Sequence, residues 1–246
     1  VLAGAAERFQ RAGVRVVVSP PEAVAECLDK RRFAAACAAL GCATPHEYAD
    51  PASAQFPVFV KPRVGQAGRG TARIDSAEVL ARRGFDPTSE ILQEFVADPE
   101  FTIDVFIDWD GRLVSAVPRR RVRVVDGESV VGCTVRDEVL AGAAGKLALG
   151  LGLRAHVTVQ AFRGPDRIRF IEVNPRFGGG AALGFAAGCP TPEWLVRLAS
   201  GEGIAPRLSN YESGLWLFRY SADLFRREEE LLLPRILGGE MGADQT

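Results

Sequence analysis

Apolar positions recur along the chain at two spacings, one typical of helices and one typical of strands. Stretches with apolar residues three and four apart predict helices, which are bounded by helix-starting or helix-ending residues such as Ser76 and Gly41. The predicted helices cover 1–12, Glu22–Leu40, the residues after Ser76, Asp137–Leu149, Pro192–Ala199 and the solvated stretch at Glu228–Glu230.

β-Branched and alternating runs predict strands between these helices. The predicted strands are Val14–Val18, Pro57–Lys61, Thr71–Ile74, Ile91–Val96, Phe101–Asp108, Leu113–Pro118, Val122–Val125, the segment around Val130–Val131, Val157–Phe162, Ile168–Val173 and Leu215–Tyr220. Two pairs of these strands are joined by the short turns Asp110-Gly111 and Gly164–Arg167, which predict antiparallel hairpins. Antiparallel hairpins beside helices indicate an α+β fold rather than a purely parallel sheet.

Composition limits the classes of protein that fit. The chain has 246 residues, of which 47% are hydrophobic, and its formal net charge is −1. This is enough apolar material for a sizeable core, and the charge gives no sign of nucleic-acid binding. No apolar run approaches the roughly 20 residues of a membrane span, and the first residues do not form a secretory leader. We therefore expect neither nucleic acid nor a membrane among the partners.

The cysteines and the chain ends add two points. The 5 cysteines are scattered and never spaced as Cys-x-x-Cys, which is typical of a reduced, cytoplasmic protein. The chain begins at Val1 and its only methionine is Met241, so the sequence leaves open whether it is a piece of a longer protein.

A lysine at the end of a strand precedes a glycine-rich turn. Phe59-Val60-Lys61-Pro62 is followed by three glycines at short spacing, namely Gly65, Gly68 and Gly70. Such a turn can fold its backbone N–H groups over phosphates, and the strand fixes the lysine ammonium beside them. The pattern is neither a P-loop nor a dinucleotide fingerprint. A flexible hairpin turn with a solvated lysine remains an equally good interpretation of this motif alone.

Oxygen-bearing side chains cluster on the second predicted hairpin. Glu172 and Asn174 share a strand face because they are two residues apart, and Gln160 on the partner strand can lie opposite them. Magnesium prefers such oxygen ligands, and Arg176 has the same phase and can aim its guanidinium at a phosphoryl group. The alternative is a polar strand face covered by solvent, which fits poorly because the surrounding strand residues are apolar.

Other clusters carry less information. Arg119, Arg121 and Arg123 point one way if the strand alternates, toward either a phosphate, a carboxylate or open solvent at a sheet edge. His46 and His156 are isolated, which favours structural roles. Cys133 and Cys189 lie near the candidate site loops without an evident base.

Taken together, the motifs resemble those of the ATP-grasp superfamily, and most closely its carbamoyl-phosphate-synthase-like branch, which includes amino-acid ligases. The matching pieces follow the family order over about residues 14–220: Asp29-Lys30, Phe59-Val60-Lys61-Pro62 with its glycines, Gln93-Glu94-Phe95-Val96, Glu100, Gln160 and Phe170-Ile171-Glu172-Val173-Asn174-Pro175-Arg176. The resemblance implies two α+β subdomains that clasp ATP, behind the remnant of an N-terminal α/β domain. The implied division is 1–21 for the remnant, 22–97 for a linker helix and the small lid subdomain, and 98–246 for the large subdomain.

The resemblance also implies residue roles. The nucleotide would contact Lys30 and Lys61 at the phosphates, Gly65, Gly68 and Gly70 as a lid, Glu94, Phe95 and Val96 at adenine, and Glu100 at the ribose, with Asp98 and Asp104 as nearby rivals for that last role. Two magnesium (or manganese) ions would bind Gln160, Glu172 and Asn174. Lys61 and Arg176 would be catalytic, with Arg176 steadying an acyl-phosphate.

The implied activity is that of an ATP- and magnesium-dependent carboxylate–amine ligase acting through an acyl-phosphate on small-molecule substrates, in a possible homodimer. Alternatives are an enzyme that forms carboxyphosphate, as carbamoyl-phosphate synthase does, a non-catalytic ATP-binding module, and a structural protein that shares only the fold. The string Phe177-Gly178-Gly179-Gly180 resembles the ligase-like members more than true synthases. The sequence does not name the carboxylate or the amine.

Overall fold

Helices and antiparallel strands alternate along the chain, and the α+β class that the hairpins predict is confirmed. The computed structural model describes residues 2–65, 68–125 and 127–227. The helices are α1 (Leu2–Arg11), α2 (Pro21–Leu28), α3 (Lys30–Ala39), α4 (Ala77–Arg83), α5 (Glu138–Gly150), α6 (Ala182–Ala186) and α7 (Thr191–Ala199). The strands are β1 (Val58–Pro62), β2 (Ala72–Ile74), β3 (Glu90–Glu94), β4 (Glu100–Ile107), β5 (Leu113–Val125), β6 (Glu128–Thr134), β7 (Ala155–Arg163), β8 (Ile168–Asn174) and β9 (Trp216–Phe218).

A small sheet carries the predicted lysine strand at its centre. Its order is β2-β1-β3, and both pairings are antiparallel. Val58, Val60 and Leu92 are fully buried and pack with Leu80 of α4, whose first turn is capped by the Ser76 side chain as predicted. Strand β1 is therefore rigidly placed, which fixes the starting point of the Lys61 side chain.

A larger antiparallel sheet has the order β8-β7-β4-β5-β6-β9. Alternate residues of its central strands, such as Ile103 and Val157, bury one face beneath α2, α3 and α5. On the other face, Phe106 and Val117 pack against Trp194 of α7 at one end only. The remainder of that second face is polar, and it forms the floor of an open cleft.

Two sequence predictions near the start of the chain are wrong. The single helix predicted over Glu22–Leu40 is broken at Asp29, which has extended φ and ψ of −102° and 116°. The Asp29 carboxylate accepts hydrogen bonds from the N–H groups of Arg31 and Arg32, so it caps a second helix. Val14–Val18 forms no strand: Val14 is half exposed, and no described strand lies beside the segment to complete a ladder.

Smaller differences concern the second half of the chain. The stretches predicted separately as Leu113–Pro118 and Val122–Val125 form one continuous strand, β5, and the short helix α6 was not predicted. The helix predicted at Glu228–Glu230 lies outside the described residues, and the division at residues 21 and 97 stays a prediction. Within the described ranges, no helix has the length and apolar character needed to cross a membrane.

Candidate nucleotide-binding cleft

A cleft of about 1000 Å³ opens over the polar face of the large sheet and is bordered by the small sheet. It brings together nearly all of the residues that the resemblance assigns to the nucleotide and metal sites. The predicted site residues that line it are Lys30, Lys61, Gly65, Gly68, Glu94, Phe95, Val96, Glu100, Gln160, Glu172, Asn174 and Arg176. Gly70 is not among the lining residues; its φ of +73° allows the turn itself, where a side chain would also meet Pro62.

Two lysines place positive charge on one wall. Lys61 projects from β1 with only 5% of its surface exposed, and burial, together with the charge of Lys30, lowers its pKa to about 8. Burial also lowers the pKa of Lys30, whose ammonium donates to the Gly65 carbonyl oxygen at 3.4 Å. The charge of Glu172 opposes both shifts, so this carboxylate faces the same space. Two neighbouring, partly desolvated ammonium groups are suited to a polyanion.

The predicted metal ligands form a connected cluster on β7 and β8. Gln160 lies directly opposite Glu172 in the strand register, and the Asn174 amide donates to Glu172 Oε1 at 2.8 Å. With its amide oriented to satisfy both neighbours, Gln160 donates to the same Oε1 at 3.2 Å and accepts from Arg121 at 2.8 Å. The three side chains therefore already converge on one point of the cleft floor.

The donor chemistry fits a magnesium ion that arrives with phosphate. Within the described part of the chain, no group of three His, Cys, Asp or Glu residues could hold a metal alone. The cluster offers one carboxylate, that of Glu172, and the amide oxygens of Gln160 and Asn174. Magnesium usually takes one or two carboxylates and completes its shell with water and substrate phosphates. If the Gln160 amide rotates, its oxygen faces Glu172. The oxygens of both side chains can then bind the same cation.

Arg121 links Glu100 on β4 to Gln160 on β7, a role that the sequence left open. Its side chain is 6% exposed, and Nη1 lies 2.9 Å from Glu100 Oε1 as well as near Gln160. Burial raises the pKa of Glu100, and the Arg121 charge opposes that rise. Arg121 Nη2 also donates to the Gly127 carbonyl, while buried Nε has no partner in the described residues. Arg121 thus holds Glu100 and Gln160 in place.

The prediction that Arg119, Arg121 and Arg123 share one face is wrong. The β5–β6 register shifts between Arg121 and Arg123, which is a β-bulge, and alternation fails beyond it. Arg123 is exposed, and Val124 lines the cleft instead. Glu100 lines the cleft whereas its rival Asp98 does not; the Asp98 carboxylate lies beside Arg169.

Arg119 belongs to a buried network at the other end of the floor. Its Nε and Nη2 donate to the two oxygens of Asp104 at 2.6 and 2.9 Å. Burial alone would raise the pKa of Asp104, but the Arg119 charge, the neighbouring His156 and the Arg119 hydrogen bonds together outweigh it and lower the pKa to about 2. Buried His156 lies 3.7 Å from the same carboxylate and stacks on Phe177. The network fixes the guanidinium of Arg119.

The strand end that the resemblance assigns to adenine is held by His46. The N–H groups of Glu94 and Phe95 donate to the carbonyl oxygens of His46 and Pro57. The Glu94 side chain accepts from the His46 N–H at 3.0 Å and pairs with Arg169, so it has a structural task. Of Glu94, Phe95 and Val96, only Val96 keeps an N–H without a backbone acceptor among the described residues. Adenine recognition here stays a prediction.

A glycine loop closes the end of the cleft beyond Arg176. A Cβ atom built on Gly178 would lie 3.0 Å from the Thr158 side chain, and one on Gly180 would lie 2.6 Å from Arg119 Nη1. The loop therefore passes too close to the floor for larger residues. Thr158 also donates to the Arg176 carbonyl oxygen at 2.9 Å, which ties the loop to β7.

The fold and this cleft define an ATP-grasp protein, as comparison with known sequences and structures shows. A sequence profile of the family described as "ATP-grasp in the biosynthetic pathway with Ter operon" matches residues 86–215, more than half of the chain. The chain belongs to this ATP-grasp family, so the resemblance seen in its motifs is confirmed.

Curated relatives place the chain near carbamoyl phosphate synthases. It is 29% identical over 223 residues to the large chain of that enzyme from Methanospirillum hungatei, covering 80% of this chain. The Corynebacterium glutamicum large chain is 28% identical over 199 residues. The chain spans about a fifth of the length of these relatives, 21% and 18% respectively.

Solved structures share the fold at low sequence identity. The biotin carboxylase domain of Hydrogenobacter thermophilus 2-oxoglutarate carboxylase, solved as a dimer with MgADP and bicarbonate, has a TM-score of 0.74 at 17% identity and covers 87% of this chain and 55% of its own. An L-amino acid ligase from Bacillus licheniformis has a TM-score of 0.56 at 20% identity and covers 74% of this chain and 49% of its own. These likenesses show the ATP-grasp fold.

Proposed function

We propose that the chain is the catalytic unit of an ATP- and magnesium-dependent carboxylate–amine ligase. The observation that carries the proposal is that two lysines suited to phosphates line the same cleft as magnesium-type ligands. Buried Lys61 and partly buried Lys30 supply positive charge on one wall, and Glu172 with its amide neighbours supplies a magnesium-type donor set on the floor. A triphosphate needs both kinds of group, because each offsets part of its negative charge.

The residues divide the work along the cleft. Lys61 and Lys30 hold the phosphates, Gly65 and Gly68 cover them, and Glu100 takes the ribose hydroxyls. Gln160, Glu172 and Asn174 would hold magnesium, which would offset part of the negative charge of the phosphates. Arg176, at the end of β8, steadies the phosphoryl group on its acceptor.

The proposed reaction has two steps. A carboxylate oxygen attacks the γ-phosphorus, the bond to the bridging oxygen of ADP breaks, and an acyl-phosphate forms. An amine then attacks the acyl carbon, phosphate leaves with the bonding electron pair, and the amine nitrogen loses a proton. No protein nucleophile is needed, because the chain acts by positioning, charge neutralisation and exclusion of water.

An ADP-release screen tests the proposal. The full chain is supplied with magnesium, ATP and a panel of amino acids and small carboxylates, and hydroxylamine is added to trap any acyl-phosphate as a hydroxamate. We expect ADP and hydroxamate to form together with one class of carboxylate. ATP binding without ADP release under any condition would favour a non-catalytic module.

The main rival is formation of carboxyphosphate, which the carbamoyl phosphate synthase relatives favour. It predicts ADP release that depends on bicarbonate alone, with no hydroxamate from any organic carboxylate. The same screen, run with and without added bicarbonate in degassed buffer, separates the two reactions.

Replacing Lys61 by methionine is expected to abolish the rise in melting temperature that MgATP causes. The same change should stabilise the protein without nucleotide near neutral pH, because the charged ammonium is buried at a cost. The pKa of Lys61 is about 8 in the folded protein and 10.5 in the unfolded chain. Between these two pH values unfolding takes up a proton at Lys61, so the stability of the wild type rises with pH in that range.

Thermal unfolding with and without MgATP checks both effects. Lys146→Met, on the surface of α5, is the matched control and should leave the nucleotide response intact. A Lys61→Met protein that keeps the full MgATP response would remove Lys61 from the phosphate site.

A further inference from the structure

Arg119 is a charged group of the cleft to which the proposed reaction gives no task. It is 3% exposed, and Nε and Nη2 are both used by the bidentate pair with Asp104. Its third nitrogen, Nη1, makes no hydrogen bond within the described residues and points to the glycine loop at Gly180. A guanidinium fixed on one edge and open on the other is arranged to bind a ligand.

The strand register places Arg119 away from the metal donors. Arg119 pairs with Thr102 on β4, which pairs with Gln160 on β7, which pairs with Glu172 on β8. Neighbouring strands are about 4.8 Å apart, so the backbones of Arg119 and Glu172 are roughly 14 Å apart. Asp104 lies on β4 and keeps the guanidinium over that strand, which prevents it from reaching toward β8.

The wall next to Arg119 is narrow and polar. Glu128 and Ser129 on β6 also line this end of the cleft, and a Cβ on Gly179 would lie 2.9 Å from the Glu128 carboxylate. A Glu128 oxygen in turn accepts from Arg219 at 2.6 Å. The space between floor and loop therefore suits a small, polar group rather than a bulky apolar one.

We propose that Arg119, oriented by Asp104, binds a substrate carboxylate that is not the one phosphorylated. The proposal rests on the proposed function, because it places a second anionic group of the substrates beyond the reacting centre. Arginine suits this task since its planar fork matches a carboxylate and stays charged when buried. Such a carboxylate has two possible sources: the far end of a dicarboxylic acid that is activated, or the α-carboxylate of an amino acid that supplies the amine.

Thermal unfolding of the full chain with saturating MgADP tests the proposal. The probes are short dicarboxylic acids and common L-amino acids, each compared with the amide that lacks the carboxylate in question. We expect at least one acid to raise the melting temperature where its amide does not, and the responding class identifies the source. Arg119→Lys should weaken that acid's binding about 10- to 100-fold, the usual effect of losing a charge-assisted hydrogen bond.

Gly180→Ala is a second variant that keeps the buried ion pair but crowds Nη1, and it should weaken the same acid. Arg120→Lys, exposed on the same strand, is the control and should bind it as wild type does. Equal responses to acid and amide, an unchanged affinity in Arg119→Lys, or no response to any probe would each overturn the assignment. A wild-type protein that does not respond to MgADP would instead contradict the proposed function.

Discussion

Replacing Glu172 by glutamine is expected to slow ADP formation about 10³-fold, which corresponds to a loss of about 4 kcal/mol of transition-state stabilisation. Glu172 is the only carboxylate of its cluster, and both amide neighbours, Gln160 and Asn174, donate to it. Glutamine keeps the size of the side chain but removes the charge that a magnesium ion needs. The rate should therefore fall while the structure is retained.

The measurement is steady-state ADP release under the conditions of the substrate screen, together with circular dichroism and thermal unfolding of the variant. Glu193→Gln on the surface of α7 is the control, since its side chain is 63% exposed and its ion pair with Arg197 is long, at 3.9 Å. Wild-type turnover by Glu172→Gln would take the residue out of the metal site. A variant that has lost its fold would show itself in the unfolding curve.

Local motifs were the part of the site that the sequence could predict. Side chains alternate along β8, so Glu172 and Asn174 share one face, and the β7–β8 hairpin places Gln160 opposite Glu172. These placements could be predicted because each depends only on residues close together in the chain. The Lys61 strand and its glycine turn are local in the same sense. The sequence therefore supplied the cluster and the lysine, and the fold brought them into one cleft.

Features that depend on distant parts of the chain could not be predicted in this way. The β-bulge beyond Arg121 arises from the pairing of β5 with β6, and no local pattern separates Arg121 from Arg123 before that pairing is known. Asp29 looks like part of a helix until Arg63, which pairs with it, is placed by the small sheet. Alternation along β5 was nevertheless a usable signal, because it selected Arg119 and Arg121 together.

The pairing of Asp104 with Arg119 could not be predicted from the sequence for the same reason. In the sequence, Asp104 was only an alternative to Glu100 as the residue that contacts the ribose. In the structure, Asp104 on β4 lies diagonally opposite Arg119 on β5, and both side chains are buried. A carboxylate so close to a buried guanidinium is a structural partner, and this follows from tertiary contact rather than from spacing along the chain.

Replacing Asp104 by alanine is expected to lower the free energy of unfolding by about 3–5 kcal/mol, because Arg119 would be left buried without its counter-charge. The two side chains of the pair are only 3% and 4% exposed, so solvent cannot take the place of the lost carboxylate. Urea unfolding of the variant and the wild type measures the difference. Adding Arg119→Met to the variant should recover part of the loss, since it removes the unpaired charge.

Asp75→Ala is the matched control, because Asp75 also pairs with an arginine, Arg73, but is 67% exposed, and exposed pairs contribute at most about 1 kcal/mol. The pH dependence gives an independent check. The pKa of Asp104 falls from 3.8 in the unfolded chain to about 2 in the folded protein. The ionised carboxylate therefore contributes fully to stability above pH 3.8, and this contribution is lost as the pH falls through about 2. The stability gap between wild type and Asp104→Ala should therefore narrow in acid. A gap that is small at neutral pH, or that does not change in acid, would show that Arg119 finds another partner and that Asp104 does not orient it.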